Sequence, residues 1–474
     1  MAFILQVDCL CEVFEYLEDD RPTLYSCLLV NRLWCKISVR ILWRNIWNFD
    51  IYQKDSLRVA TSILSTLIAC LPNESKELLH ENNIFISTPT FNPPLFNYAR
   101  FCKVLSIDVV DDIINEVLPE NRISHLATNE IIKMFTNQIS SLKKLTYYDH
   151  LNISFPHFPN ARDLSELCCK SELPSSFFYQ LSQICHNLQS ISLDFYCNDD
   201  VSNELKELIS LQNNLKILSL SAYDGNWADI IPIILKHSHT ITELRLYNCD
   251  SGYLPFSFVS SFSNLQKLIM HFIGETDFKD FKKSQYTNFF KLEILIFPFN
   301  CPKTEYILKF LENNGKNLKT LYIGENDEDL SLSISKFCPN IKNLFIRFHN
   351  DEINSLKNLF INCQYLESIK IKIQYGKNRY FSGKEILETV VNHSPNNFCE
   401  LKLCNGSILD VCPKDLESLF KSWENRIPKK LLKLTIVKML RNNKKFLYKE
   451  GMEIIEKYEK LGIIKFRSIY EENF

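Results

Sequence analysis

From about residue 100 onward the chain repeats one short arrangement: an apolar residue, two variable residues, an apolar residue, one variable residue and a third apolar residue. Clear copies are Leu188/Ile191/Leu193, Leu215/Leu218/Leu220, Ile241/Leu244/Leu246, Leu265/Leu268/Met270, Leu292/Leu295/Phe297, Leu318/Leu321/Ile323, Ile341/Leu344/Ile346 and Leu366/Ile369/Ile371. Their first positions are spaced by 27, 26, 24, 27, 26, 23 and 25 residues. Later copies at Phe398/Leu401/Leu403 and Leu431/Leu434/Ile436 follow at 32 and 33 residues, which predicts longer helices between them, and a weaker last copy is placed near Ile463 and Phe466. Upstream, Leu164/Leu167/Cys169, Leu142/Leu145/Tyr147 and Cys102/Leu105/Ile107 extend the series less regularly. The 40 residues from Cys102 to Leu142 hold an insertion or one degenerate unit.

The last two apolar positions of each copy alternate with a variable residue, so each copy predicts a short strand with one side turned inward. Between strands, residues 200–214 and 301–317 carry apolar side chains at intervals of three and four, the spacing of an amphipathic helix. The period and the LxxLxL order fall in the range of leucine-rich repeats, roughly 20 to 29 residues. The expected fold is therefore α/β: a right-handed solenoid with a curved parallel sheet and helices on the convex side. Cys185, Cys338 and Cys363 each stand three residues before a first apolar position, and Cys249 follows LxL at the spacing LxLxxC. These placements resemble the cysteine-containing leucine-rich-repeat family, in which such cysteines pack at repeat junctions.

The first 47 residues have a different rhythm and predict three short helices. Leu10, Val13, Phe14 and Leu17 share one helical face. Asp19, Asp20, Arg21 and Pro22 make a turn, with Pro22 placed to open the next helix. Leu24, Cys27, Leu28 and Val30 continue the core, a third helix carries Leu33, Trp34 and Ile37, and Ile41, Leu42 and Trp43 close the unit. The centre VNRLWCKIS and the ending ILWRNIW make this stretch resemble the F-box family, through Leu5, Val13, Phe14, Tyr16, Leu17, Leu28, Val30, Asn31, Trp34, Leu42 and Trp43. The resemblance covers about a tenth of the chain. It implies a three-helix module that binds a Skp-type adaptor through Leu5, Val13, Phe14, Leu17, Leu28, Val30, Trp34, Leu42 and Trp43. Gln6 stands where the family has a proline that contributes to that contact. Trp34, Trp43 and Trp47 lie close together in sequence, and aromatic side chains are favoured at interfaces. The domains expected are a helical module at 1–47, a helical connector at 48–100 that ends in the Pro-rich break Thr88 to Pro94, and the solenoid at 101–474.

Composition narrows the function. Of 474 residues, 54 are Lys or Arg and 56 are Asp or Glu, a net charge of -2, so no overall field draws nucleic acid or an anionic membrane. The first twenty residues lack the layout of a secretory signal, and apolar runs such as Ser62 to Leu71 fall short of the about 20 residues a bilayer requires. An intracellular protein, cytoplasmic or nuclear, is expected. Seventeen cysteines include no CxxC pair, so they read as reduced and mostly buried rather than as disulfides or zinc ligands.

No phosphate loop, nucleophile elbow or paired metal motif occurs, and the ten glycines are scattered singly. His237 and His239 form an HxH that reads as a helix end and a turn, and Cys168 and Cys169 as one face and one core residue of a strand. No catalytic residue, cofactor or metal is expected. On the strand face, Ile269, Ile294, Ile296, Tyr322 and Phe345 run into Arg347, Lys370, Lys372, Lys402 and Lys433, an apolar stretch leading to a basic one suited to an acidic or phosphorylated protein segment. The resemblance thus implies the substrate-recognition subunit of a Skp-cullin-F-box ubiquitin ligase, linked to a cullin-RING ligase through the adaptor. The alternative is a repeat scaffold whose N-terminal helices are only a cap.

Overall fold

The computed structural model describes residues 6–47, 56–84, 94–118, 121–148, 159–197, 200–248, 255–273, 278–324, 328–348, 353–373, 383–404, 411–438 and 449–470. Leu5, Cys249 and most of the Pro-rich break lie outside them. The chain packs as two compact units, residues 1–215 and 216–474.

The first unit opens with α1 (Val7–Glu15), α2 (Arg21–Cys27) and α3 (Arg32–Leu42). Their starts are set locally. The Asp20 carboxylate accepts the Thr23 N–H at 3.2 Å ahead of α2, where Pro22 occupies the first turn as expected. The Asn31 side chain accepts the N–H groups of Leu33 and Trp34 at 3.0 and 2.9 Å ahead of α3. Leu10, Phe14, Leu24, Cys27, Ile37 and Ile41 form the core, with Leu17, Leu33, Trp34 and Leu42 packed against it. Two residues expected in that core are not there: Val13 and Val30 are 53% and 56% exposed. Val13 sits at the margin of the Leu10–Phe14–Leu17 stripe, and three short helices are too few to cover both sides of it.

Next come α4 (Ser56–Cys70) and α5 (Asn73–Glu81), then β1 (Val104–Ser106), α6 (Ile107–Val117), α7 (Asn121–Gln138), β2 (Lys144–Tyr147), β3 (Glu166–Lys170), α8 (Ser175–Ile184), β4 (Ser190–Phe195) and α9 (Asn203–Ser210). The stretch between Cys102 and Leu142 is an insertion: one repeat whose return path is two helices, α6 and α7, against which α4 and α5 pack.

The second unit alternates strand and helix: β5 (Ile217–Ala222), α10 (Ile231–Ile234), β6 (Glu243–Asn248), β7 (Lys267–Phe272), α11 (Phe281–Ser284), β8 (Ile294–Phe297), α12 (Thr304–Asn314), β9 (Thr320–Ile323), α13 (Glu328–Phe337), β10 (Asn343–Phe348), α14 (Ile353–Asn362), β11 (Ser368–Ile373), α15 (Gly383–His393), β12 (Glu400–Cys404), α16 (Pro413–Glu424), β13 (Leu432–Lys438), α17 (Lys449–Lys460) and β14 (Ile464–Tyr470). Within each unit consecutive strands pair in parallel and in chain order. The fold is a leucine-rich-repeat solenoid of mixed α/β class. Successive LxL residues lie in register, with Leu244 opposite Leu268 and Leu246 opposite Met270, and all four are fully buried. Each such side chain contributes on the order of 1.5–3 kcal/mol of burial. The wide spacings late in the chain are taken up only partly by helix, since α15 has 11 residues and α16 has 12 against 10 in α14.

One backbone arrangement recurs at the repeat joints. A single carbonyl just ahead of each strand accepts the N–H groups of two consecutive residues of the next repeat: Lys103 takes those of Lys143 and Lys144, Lys143 those of Ser165 and Glu166, Thr242 those of Gln266 and Lys267. Buried side chains close the remaining gaps. Gln212 accepts the Leu188 N–H at 2.9 Å and donates to the carbonyls of Cys185 and Leu208. Asn314 does the same for Phe289, Thr287 and Phe310. Cys185 donates to the Ala161 carbonyl at 3.0 Å and Cys363 to that of Cys338, so these cysteines pack at repeat junctions as the sequence suggested. No described helix is long and apolar enough to cross a membrane.

Candidate protein-interaction surfaces

Two surfaces carry the residues singled out in the sequence, one in each unit. In the first, Leu5 lies outside the described residues, and the other eight residues assigned to adaptor contact divide by exposure. Phe14 is buried and meets Trp34 edge-to-face with ring centroids 5.1 Å apart, and Leu17 and Leu42 pack on the same core. Leu28, Trp34 and Trp43 are partly buried, while Val13 and Val30 face solvent. Other apolar side chains of the module are also open to solvent: Tyr16 and Leu29, each 89% exposed, together with Val7 and Tyr25. These lie among the charged residues of α1 and the end of α2, where periodicity marks them as surface.

The three tryptophans point inward. Trp43 packs on Tyr98 with ring centroids 4.5 Å apart. Trp47 packs on Phe135 and donates its indole N–H to the Val104 carbonyl at 2.5 Å. Trp43 and Trp47 join the helical module to the chain that follows it, while Trp34 packs within the module on Phe14. The Arg44 guanidinium grips the Glu15 carboxylate with both of its terminal nitrogens, which fixes α1 against the end of α3. That bond holds the Glu15 carboxyl below its ordinary range.

In the second unit, Ile269, Ile294, Ile296, Tyr322, Arg347, Lys370, Lys372 and Lys402 are all half-buried on the strand face, and Lys433 is exposed. Register brings Tyr322, Phe345, Lys370 and Lys402 into one row. Phe345, however, is only 4% exposed. Tyr322 stacks on it with ring centroids 3.8 Å apart, the Lys370 ammonium lies 4.8 Å from its ring centre, and Cys404 and Val437 complete a small apolar cluster on the same face. The positive charge is also partly spent within the sheet, because Lys402 pairs with Glu400 at 3.0 Å. What this face offers is a partly neutralised basic end beside a filled aromatic patch.

Other candidate chemistry stays structural. His237 is buried at the end of a short helical turn, and His239 Nδ1 lies 3.2 Å from the Ser263 hydroxyl. No group of three His, Cys, Asp or Glu side chains disposed to hold a metal occurs among the described residues. Cys168 lies half-buried on the strand face and Cys169 is in the core. Burial pushes the thiols of Cys102, Cys185 and Cys363 up to about 12, so near neutral pH they stay protonated and unreactive.

Among solved structures, the chain is similar to one in the complex of Rad7 and Elc1 from yeast, at 13% identity over 95% of this chain and 96% of that one, with a TM-score of 0.42. It is also similar to an internalin from Listeria monocytogenes, at 14% identity over 73% of this chain and 70% of that one, with a TM-score of 0.26. No family model matches the chain, and no curated protein matches it significantly.

Proposed function

We propose that the chain is the substrate-recognition subunit of a Skp-cullin-F-box type ubiquitin ligase, acting in the cytoplasm or nucleus. Residues 1–47 dock the Skp-type adaptor and, through it, a cullin-RING ligase; residues 48–100 connect; the repeats from 101 onward hold a protein substrate on their strand face. The observation that carries this reading is the exposure of the apolar side chains Val13, Tyr16, Leu29 and Val30 in a helical module that also has the F-box-like order of residues. Exposed apolar side chains of this kind are stabilised by a partner. Such a subunit performs no bond chemistry; it raises the effective concentration of substrate beside a ubiquitin-loaded enzyme.

Co-expression of the intact chain with a Skp-type adaptor tests this. Joint purification, lost on Leu29→Glu with Val30→Glu, is the expected result, and failure of the intact chain to retain the adaptor would overturn the proposal. Removing residues 1–47 outright is a poorer test, since it also strips Arg44 and Trp47 from the first repeat. At the other surface, Lys370→Glu, Lys372→Glu and Lys402→Glu together should weaken capture of an acidic substrate.

The second reading, a scaffold capped by its N-terminal helices, is favoured by a specific bond: the Arg44 carbonyl accepts from Lys103 and Val104 as the repeats accept from one another. Under the scaffold reading the same charged substitutions on Leu29 and Val30 leave every interaction of the protein unchanged.

A further inference from the structure

Between the end of α3 and the first repeat lies a cavity of about 580 Å3 lined by Lys36, Arg40, Arg44, Arg100, Lys103, Ser140, Ser141, Phe96 and Phe101. Its volume falls in the range of small-molecule sites, roughly 300 to 1,000 Å3. Five of the nine lining residues are cationic and none is acidic.

Two separate parts of the chain supply that charge. Lys36 and Arg40 stand four residues apart on α3, one above the other, and Arg44 follows a turn later. Arg100 and Lys103 lie just ahead of β1. Like charges at a spacing of four destabilise a helix. The negative end of α3 offsets this for Arg40 but does not reach Arg100.

The nearby carboxylates are already engaged. Glu15 is held by Arg44, and Asp163 accepts the Ser141 hydroxyl at 2.6 Å. Lys36, Arg40, Arg100 and Lys103 form no ion pair with a described carboxylate. Glu15 and Asp163 offset part of this charge from a distance, while the Arg40 and Arg100 guanidinium forks and the Lys36 and Lys103 ammonium groups are left without a direct carboxylate contact, an arrangement that suits several phosphate oxygens at once. Phe96 and Phe101, with ring centroids 6.4 Å apart, add an aromatic wall.

We propose that this cavity binds a small molecule bearing two or more phosphoryl groups, held by Arg40, Arg100, Lys36 and Lys103 and set against Phe96 and Phe101. The site shares no residue with either protein-interaction surface, and it does not depend on the chain being a ligase subunit. An occupant would tie α3 to the first repeat through charge as well as through Trp47.

Calorimetric titration of the full chain with tripolyphosphate, adenosine triphosphate and inorganic phosphate at about 0.15 M salt tests it. Binding of tripolyphosphate or the nucleotide well above that of single phosphate is expected. Tighter binding of the nucleotide than of tripolyphosphate assigns a stacked base; equal binding assigns the phosphate chain alone. Arg40→Glu with Arg100→Glu should weaken binding roughly a hundred-fold, and the milder Lys36→Gln with Lys103→Gln should weaken it less, both without loss of helical signal. No binding of any probe by the intact chain, single phosphate bound as tightly as tripolyphosphate, or equal binding by the charge-reversed variant would overturn the proposal.

Discussion

The backbone carbonyl of Arg44 accepts the N–H groups of Lys103 and Val104 at 2.9 and 3.0 Å, the same pair of hydrogen bonds that recurs between successive repeats. The last turn of the helical module thus takes the place of a repeat ahead of the first strand. Trp47 completes the joint through Phe135 and the Val104 carbonyl. Trp47→Ala should cost about 3–5 kcal/mol in urea unfolding of the first unit. A change below about 1 kcal/mol would show that the module hangs loosely from the repeats.

Gln6 precedes α1 with φ at −59°, the value a proline ring imposes, and its carbonyl accepts the Leu10 N–H at 3.1 Å. Gln6→Pro should therefore fit without strain and stabilise the module by about 0.4–1 kcal/mol through the unfolded chain. It should also tighten adaptor binding, because it restores the proline of the F-box pattern. Weaker binding by a stable Gln6→Pro variant would count against that resemblance.

The Glu15–Arg44 pair gives a pH dependence of definite sign. The Arg44 hydrogen bond lowers the Glu15 carboxyl below its ordinary 4.5, so the folded chain holds its proton less tightly than the unfolded one. The stabilisation is complete above pH 4.5 and fades as pH falls beneath it. The pair is partly exposed, so Glu15→Gln should cost no more than about 1 kcal/mol near neutral pH. The two proteins should converge in acid; a gap that widened there would refute the assignment.

Repeat joints that look alike in sequence differ in cost. Gln212 satisfies a buried N–H and two buried carbonyls, so Gln212→Ala should destabilise by about 1–3 kcal/mol. Its neighbour Asn213 donates to the His186 carbonyl at the surface, and Asn213→Ala should stay within about 0.5 kcal/mol. Denaturant midpoints of the two variants separate these outcomes.

The repeats were legible because each LxxLxL copy buries its own residues: Leu244 and Leu246 need only a parallel neighbour to be inside. The same holds for the junction cysteines, whose spacing from the first leucine fixes their depth. What stayed hidden depends on distant chain. Phe345 reads as a face residue by alternation, yet it is covered because Tyr322, Lys370, Cys404 and Val437 arrive from repeats before and after it. Trp43 and Trp47 read as interface aromatics, and only Tyr98 and Phe135, more than fifty residues later, turn them inward. Tyr16 enters the F-box-like pattern without a contact assigned to it, and Leu29 not at all, since periodicity places both outside without saying that a partner covers them. The basic cavity has no local signature, because its cations come from Lys36 to Arg44 and from Arg100 to Lys103.

The proposed role in a ubiquitin ligase rests on the exposed apolar side chains of the helical module, and a biosensor measurement of adaptor binding tests it most directly. The intact chain should bind a Skp-type adaptor, and Leu29→Glu with Val30→Glu should weaken that binding by at least about a hundred-fold while leaving the melting temperature unchanged. An intact, folded chain that does not bind the adaptor, or a variant that binds as tightly as the parent, would contradict it.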